Sequence, residues 1–284
     1  MAVLYYEYIN EEMQKLKTLE CYMSSTHMYH LHDWIACIDE AADMGFHGME
    51  LFGGEGKTNF TFMDDARIEE IGLRGRERGM TLSLHPWIDW CDLDEKELER
   101  EYLSLIKRCV RAGIRQINMH MGFLATRRQG IERVLDVTEK CLPLITENHI
   151  MLYYENVPEH GIRELGSELW DFEALFTRFT PETGVMLNID TGHAHIMHEI
   201  DSLIESFGDR WKYTHINDNQ GILDQHFAPG DGTLDFDHFA QKAALASYEG
   251  PLMMEYHQKG LPQGMQVVYN AYESAGYHIN KLKL

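Results

Sequence analysis

The chain has 284 residues, 44% of them hydrophobic and 25% charged, enough apolar material for one large core and too much for a disordered or fibrous protein. Its formal net charge of −21 is spread as short acidic clusters such as EKELEREY, the pattern of solvated helix faces, and the resulting field disfavours a nucleic-acid partner. Cys21, Cys37, Cys91, Cys109 and Cys141 form no C-x-x-C pair or disulfide framework, and no segment reads as a secretion signal or membrane span, so a reducing, cytoplasmic location without a membrane partner is expected.

Residues 1–17 precede the first strand and read as an N-terminal extension, with 18–284 as the folded domain. From there short apolar runs alternate with longer amphipathic stretches, as in βα units around a parallel sheet. Strand one is expected at 18–23 (TLECYM) with a helix over 31–44, strand two at 48–52 (GMELF), and strand three at 81–85 (TLSLH) with a helix over 97–113. Strand four follows at 116–120 (QINMH) with a helix over 131–148, strand five at 151–156, strand six at 185–190, strand seven at 212–217 and strand eight at 251–257. Gly45, Gly113 and Gly184 stand where helices must stop before the next strand. No Pro/Ser-rich linker interrupts the series, so the fold class is α/β, a single (β/α)8 TIM barrel with a short N-terminal extension.

Along each strand of a closed barrel, alternate side chains point into the barrel and the rest pack against helices. On strand four Ile117 and Met119 then face helices while Gln116, Asn118 and His120 face in; on strand six Val185, Leu187 and Ile189 face out while Asn188 and Asp190 face in. Strand seven sets Tyr213 and His215 on one parity, and strand eight does the same for Met253, Glu255 and His257. Barrel interiors are normally filled with branched apolar side chains, so polar groups gathered at C-terminal strand ends mark a site. Six strands supply one: His85, His120, Glu155, Asp190, His215 and Glu255. Any one alone reads more readily as a hydrogen-bonded core residue, but six converging on one small volume need a cation, and a divalent metal is expected.

The segments ENVPEHG (155–161), NIDTGHAH (188–195), HINDNQGILDQHFAPGDGTLDF (215–236) and MMEYH (253–257) resemble the xylose isomerase-like barrel superfamily, which holds sugar isomerases, keto-sugar 3-epimerases and type IV AP endonucleases. The resemblance runs from strand one to strand eight. Its most specific part is His-x-x-Asp, Asp-x-His and Pro-Gly-x-Gly in order from His215 to Gly232. Carried over from the epimerase-like members, it implies Glu155, Asp190, His215 and Glu255 as ligands of one metal, with His193 touching a substrate oxygen. Carried over from the endonuclease members, it implies three zinc ions, adding His85, His120, His193, Asp224 and His226. Two features depart from the endonucleases: TG stands between Asp190 and His193 where they carry Cys, and PWIDWCDLDEKE differs from their DNA-contacting loop. One departs from the epimerases, since NDNQG follows strand seven where they place an Arg.

The expected cofactor is Mn²⁺, with Mg²⁺, Co²⁺ or Zn²⁺ as alternatives, because the ligand set is oxygen-rich with one imidazole. The expected reaction is isomerisation or epimerisation of a ketose or related polyol through an enediolate, with Glu155 and Glu255 as general base and acid. A lyase using the same chemistry, an endonuclease-type phosphodiesterase and a non-catalytic binding barrel remain alternatives. His193 either polarises substrate or braces Asp190; His120 and His85 line the mouth. Trp87, Trp90 and Phe123 either wall a sugar face or pack on neighbouring helices, and Glu50, at the end of strand two, reaches the pocket. Asp224 and His226 either join a second metal or order the Gly230–Gly232 turn, while His195 and His198 have no ligand role. Arg127 and Arg128 form the one basic pair near the mouth. The partner is a small carbohydrate, and a homo-oligomer is left open.

Overall fold

In the computed structural model, residues 17–28, 31, 33–53, 60, 63–86, 88, 93–122, 126–159 and 164–284 are described. Eight parallel strands close in chain order: β1 (Cys21–Ser24), β2 (Gly48–Gly53), β3 (Thr81–Pro86), β4 (Gln116–Met119), β5 (Met151–Glu155), β6 (Val185–Asp190), β7 (Trp211–Ile216) and β8 (Leu252–Met254). β8 pairs back onto β1 through the register Tyr22 with Met253. Helices α1 (Trp34–Met44), α2 (Asp65–Glu77), α3 (Glu95–Ala112), α4 (Arg127–Glu147), α5 (Leu169–Arg178), α6 (Thr191–Met197), α7 (Ile200–Phe207), α8 (Phe236–Leu245) and α9 (Leu261–Ser274) lie between and after the strands. This is the expected (β/α)8 barrel.

Local chemistry sets the helix ends. Asp94 caps α3 by accepting from the Lys96 and Glu97 amides while Glu97 reaches back to the Asp94 amide, and α3 stops at Gly113, whose φ of +79° few other residues adopt cheaply. The expected helices at 31–44, 97–113 and 131–148 are observed as α1, α3 and α4, the last starting four residues earlier at its Thr126 cap.

Strand parity produces two cores. Tyr22, Tyr153, Met186, Tyr213 and Met253 pack together inside the barrel, where Ser83 Oγ lies 2.8 Å from the Tyr213 hydroxyl. Ile117, Met119, Leu187 and Ile189 belong to the larger outer core between strands and helices, where each buried side chain contributes about 1.5–3 kcal/mol. The inner layer seals the barrel, so polar residues beyond it open only toward the C-terminal mouth.

Strand one is corrected. TLECYM is two strands, because Lys17–Leu19 leaves the barrel to pair in parallel with Tyr277–Ile279, and an exposed Glu20 marks the break before β1. Alternation reports a buried face but not which partner covers it. β4 and β8 also end at Met119 and Met254, so His120, Glu255 and His257 lie just beyond the ladders. Among the described residues no helix is long and apolar enough to cross a membrane.

Candidate metal centre and cavity

The four adjacent strands β5 to β8 deliver one group each to a common point. Glu155 ends β5, Asp190 ends β6, His215 lies on β7, and Glu255 follows β8 with its amide still donating to Ile216 O at 2.9 Å. One donor atom from each of the four lies within 4.8 Å of all the others. His215 Nδ1 is 2.9 Å from Glu255 Oε2, 3.2 Å from Glu155 Oε2 and 3.9 Å from Asp190 Oδ2. All four residues are buried.

Such crowding of negative charge is costly without a cation. Burial, opposed by His193 and reinforced by Glu255 and Glu155, pushes the Asp190 carboxyl up to about 7. Burial also raises Glu155 and Glu255, but His215 outweighs it and holds both well below the usual carboxylate range. The same carboxylates, with Glu50, overcome the burial that would lower His215 and raise it well above an ordinary imidazole. A proton on His215 therefore balances the cluster, and a divalent ion fits in its place. His215 Nδ1 and Glu255 Oε2 are buried, face each other and have no hydrogen-bond partner, which is the condition of ligand atoms.

Three asparagines, of which strand parity pointed only Asn188 inward, fix these groups. Asn188 Nδ2 donates to Glu155 Oε2 at 3.1 Å, and Asn217 Nδ2 to Asp190 Oδ2 at 2.6 Å. Asn156 accepts from the Asp190 amide at 2.7 Å and donates to the Asp190 carbonyl at 3.1 Å. Asp190 also caps α6 by accepting from the His193 amide at 2.7 Å, which aims the positive end of that helix at the centre. Gly192 makes this possible, since a Cβ there would sit 1.8 Å from Asn217 Oδ1. The signal was present as an Asn within two residues of Glu155, Asp190 and His215, in ENV, NID and HIN, though none stands beside Glu255.

Around the centre opens a cavity of about 230 Å³ lined by His85, His120, Glu155, Glu164, His193, Asp224, His226 and Glu255, with Phe52, Pro86, Ile88, Met119, Val157 and Leu165 as an apolar wall. His85 Nε2 and His120 Nε2 lie 3.6 and 3.7 Å from the two Glu155 oxygens. His193 Nδ1 is 3.2 Å from Glu155 Oε1 and 2.8 Å from Asn156 O, and its Nε2 is 3.3 Å from Asp224 Oδ2. His226 Nε2 meets the same Asp224 oxygen at 3.0 Å, and its Nδ1 is 2.9 Å from Glu255 O. Burial lowers His226, but the Asp224 hydrogen bond and the Glu255 charge outweigh it and raise the ring to about 10. His27, on the turn after β1, was not foreseen; its ring centroid is 5.1 Å from that of His226.

Other expectations land elsewhere. Trp87, Trp90 and Phe123 lie outside the described residues. Glu50 is fully buried beneath His215 rather than on the cavity wall, because β2 runs on to Gly53 and Phe52 takes the last position on that face. The Gly230–Gly232 turn is not ordered by His226: its amides close on Asp218 Oδ2 at 3.0 Å each, while Asp218 Oδ1 takes the Asn219 and Leu234 amides. His195 bonds Thr233 Oγ1 at 2.9 Å and His198 caps α6 at φ +57°, both away from the cavity. Arg127 pairs with the buried Asp171 and donates to Ser167 Oγ at 2.8 Å.

The profile of the family described as xylose isomerase-like TIM barrel matches residues 38–271. A stretch of 85 residues is 36% identical to the uncharacterized protein y4fM of Sinorhizobium fredii, covering 30% of this chain and 27% of that protein, so the match spans about a quarter of the relative's length. The fold superposes on D-psicose 3-epimerase from Clostridium cellulolyticum with a TM-score of 0.76 at 15% identity, covering 92% of this chain and 100% of the other. It superposes on a D-tagatose 3-epimerase-like protein at 0.74 and 16% identity (90% and 98% covered), and on an AP endonuclease, family 2, from Brucella melitensis at 0.70 and 15% identity (87% and 98% covered). At these identities the likeness establishes the fold alone.

Proposed function

The chain belongs to the xylose isomerase-like TIM barrel family, and we propose that it is a divalent-metal-dependent isomerase or epimerase of a ketose or related polyol. The observation that carries this reading is the buried set Glu155, Asp190, His215 and Glu255, whose donor atoms lie within 4.8 Å of one another at the floor of a small cavity. The superposed D-psicose 3-epimerase supports the substrate class. When bound, a divalent ion supplies Lewis-acid polarisation of a hydroxy-ketone and acidifies the C–H beside its carbonyl.

The residues provide the rest. Glu155, at the end of β5, and Glu255, just beyond β8, are the pair that would accept a proton from carbon and return it. His193, held through Nδ1 by Asn156 O and through Nε2 by Asp224, would polarise a substrate oxygen beside Glu155 by turning Nε2 from Asp224 to the substrate. The apolar wall from Phe52 to Leu165 covers a sugar face and keeps bulk water from the exchanging proton. Mn²⁺ is the ion proposed, since three carboxylates and one imidazole suit a hard cation.

The test is isotope exchange. The Mn²⁺-loaded chain, incubated in D₂O with a panel of ketoses, should place deuterium on the carbon beside the carbonyl, and Glu155→Gln should abolish it. No exchange across the panel with metal bound would refute the reading. A second reading, phosphodiester cleavage by three ions, is favoured by one observation: His85, His120, His193, Asp224 and His226 all surround the same centre. Metal analysis separates the two, about one ion per chain for the first and three for the second.

A further inference from the structure

We propose that Glu50 is the positioning residue that orients His215 for the metal, an inference that rests on the metal-centre reading above. Glu50 is fully buried in the middle of β2, one layer below the cavity, and in register with Ser83 of β3 and Ser24 of β1. A carboxylate at that depth requires donors, and two face it. His215 Nε2 lies 3.2 Å from Glu50 Oε1 and 3.4 Å from Oε2, and Asn118 Nδ2 donates to Oε2.

The consequence follows from imidazole chemistry. A carboxylate only accepts, so the nitrogen facing Glu50 must carry hydrogen, and the neutral ring then keeps its lone pair on Nδ1. Nδ1 is the atom turned toward Glu155, Asp190 and Glu255. Glu50 thus selects the tautomer, fixes the ring plane and makes Nδ1 more electron-rich, as carboxylates behind metal-bound imidazoles do. Asn118 in turn holds Glu50 in place. None of this requires Glu50 to touch substrate, and it does not line the cavity.

Metal affinity in the full-length chain reads this out directly. Calorimetric titration of the metal-free protein with Mn²⁺ should give binding roughly 10- to 100-fold weaker in Glu50→Gln, which keeps the shape and an acceptor oxygen but loses the charge, and weaker still in Glu50→Ala. Wild-type affinity in folded Glu50→Gln overturns the proposal. Should both variants fail to fold, ¹⁵N-histidine NMR of the wild-type chain loaded with Zn²⁺ decides: hydrogen on His215 Nε2 is the expected result, and hydrogen on Nδ1 with metal on Nε2 overturns it. Loss of all metal binding by the wild-type chain instead overturns the metal-centre reading, so the two failures are distinguishable.

Discussion

The loop between β7 and α8 carries Asp224 and His226 to the cavity, and its shape depends on one carboxylate. Asp218 accepts four backbone amides, from Asn219 at 2.8 Å, Gly230 and Gly232 at 3.0 Å and Leu234 at 3.1 Å. Asp218→Asn keeps one acceptor oxygen but sets an NH₂ group against two of those amides. Two hydrogen bonds to a charged acceptor are lost, each worth about 1.5–3 kcal/mol, so the loop should be weakened by about 3–6 kcal/mol. Native-state hydrogen exchange is the assay, because it registers local and global opening alike. The two amides that lose their acceptor, Gly230 and Gly232 on Oδ2 or Asn219 and Leu234 on Oδ1, should exchange at least roughly 100-fold faster, with the outer core protected as before if the opening is local. Unchanged protection at all four would refute the claim that Asp218 organises this loop.

Further outcomes follow from the same geometry. Saturation with Mn²⁺ at about 100 times Kd should stabilise the chain by about 2.7 kcal/mol and raise Tm by about 5 °C in calorimetry, an increase absent in His215→Ala. Arg127→Ala leaves Asp171 buried without its cation, which should cost about 3–5 kcal/mol in denaturant unfolding while leaving Mn²⁺ affinity of the remaining folded protein unchanged. In the metal-free chain His226 is raised to about 10 from an ordinary 6.5, so its pairing with Asp224 stabilises fully below about pH 6.5 and is lost as pH climbs toward 10. A pH series of unfolding curves should show that decline, flattened in His226→Gln.

Much of this was legible in the sequence. Strand parity placed Asn188 and Asp190 inward and Ile189 outward because a side-chain period of two leaves no other choice once one face is apolar. The same logic brought six strand-end residues to one mouth. What alternation could not convey was depth and partner. Glu50 and Phe52 share a face, and only the true end of β2 at Gly53 reveals that Phe52 meets the cavity while Glu50 lies a layer below. Leu19 is buried, but its strand partner is Ile279, 260 residues onward (279 − 19), which local pattern cannot name. The bracing roles of Asn156, Asn188 and Asn217 depend on contacts between neighbouring strands, and an isolated Asn in a strand reads only as polar.

The most direct measurement is anomalous diffraction at the manganese edge from a crystal of the full-length chain soaked in Mn²⁺. A peak is expected at bonding distance from Glu155, Asp190, His215 Nδ1 and Glu255. Saturating manganese with no peak among those four side chains would contradict the metal-centre reading.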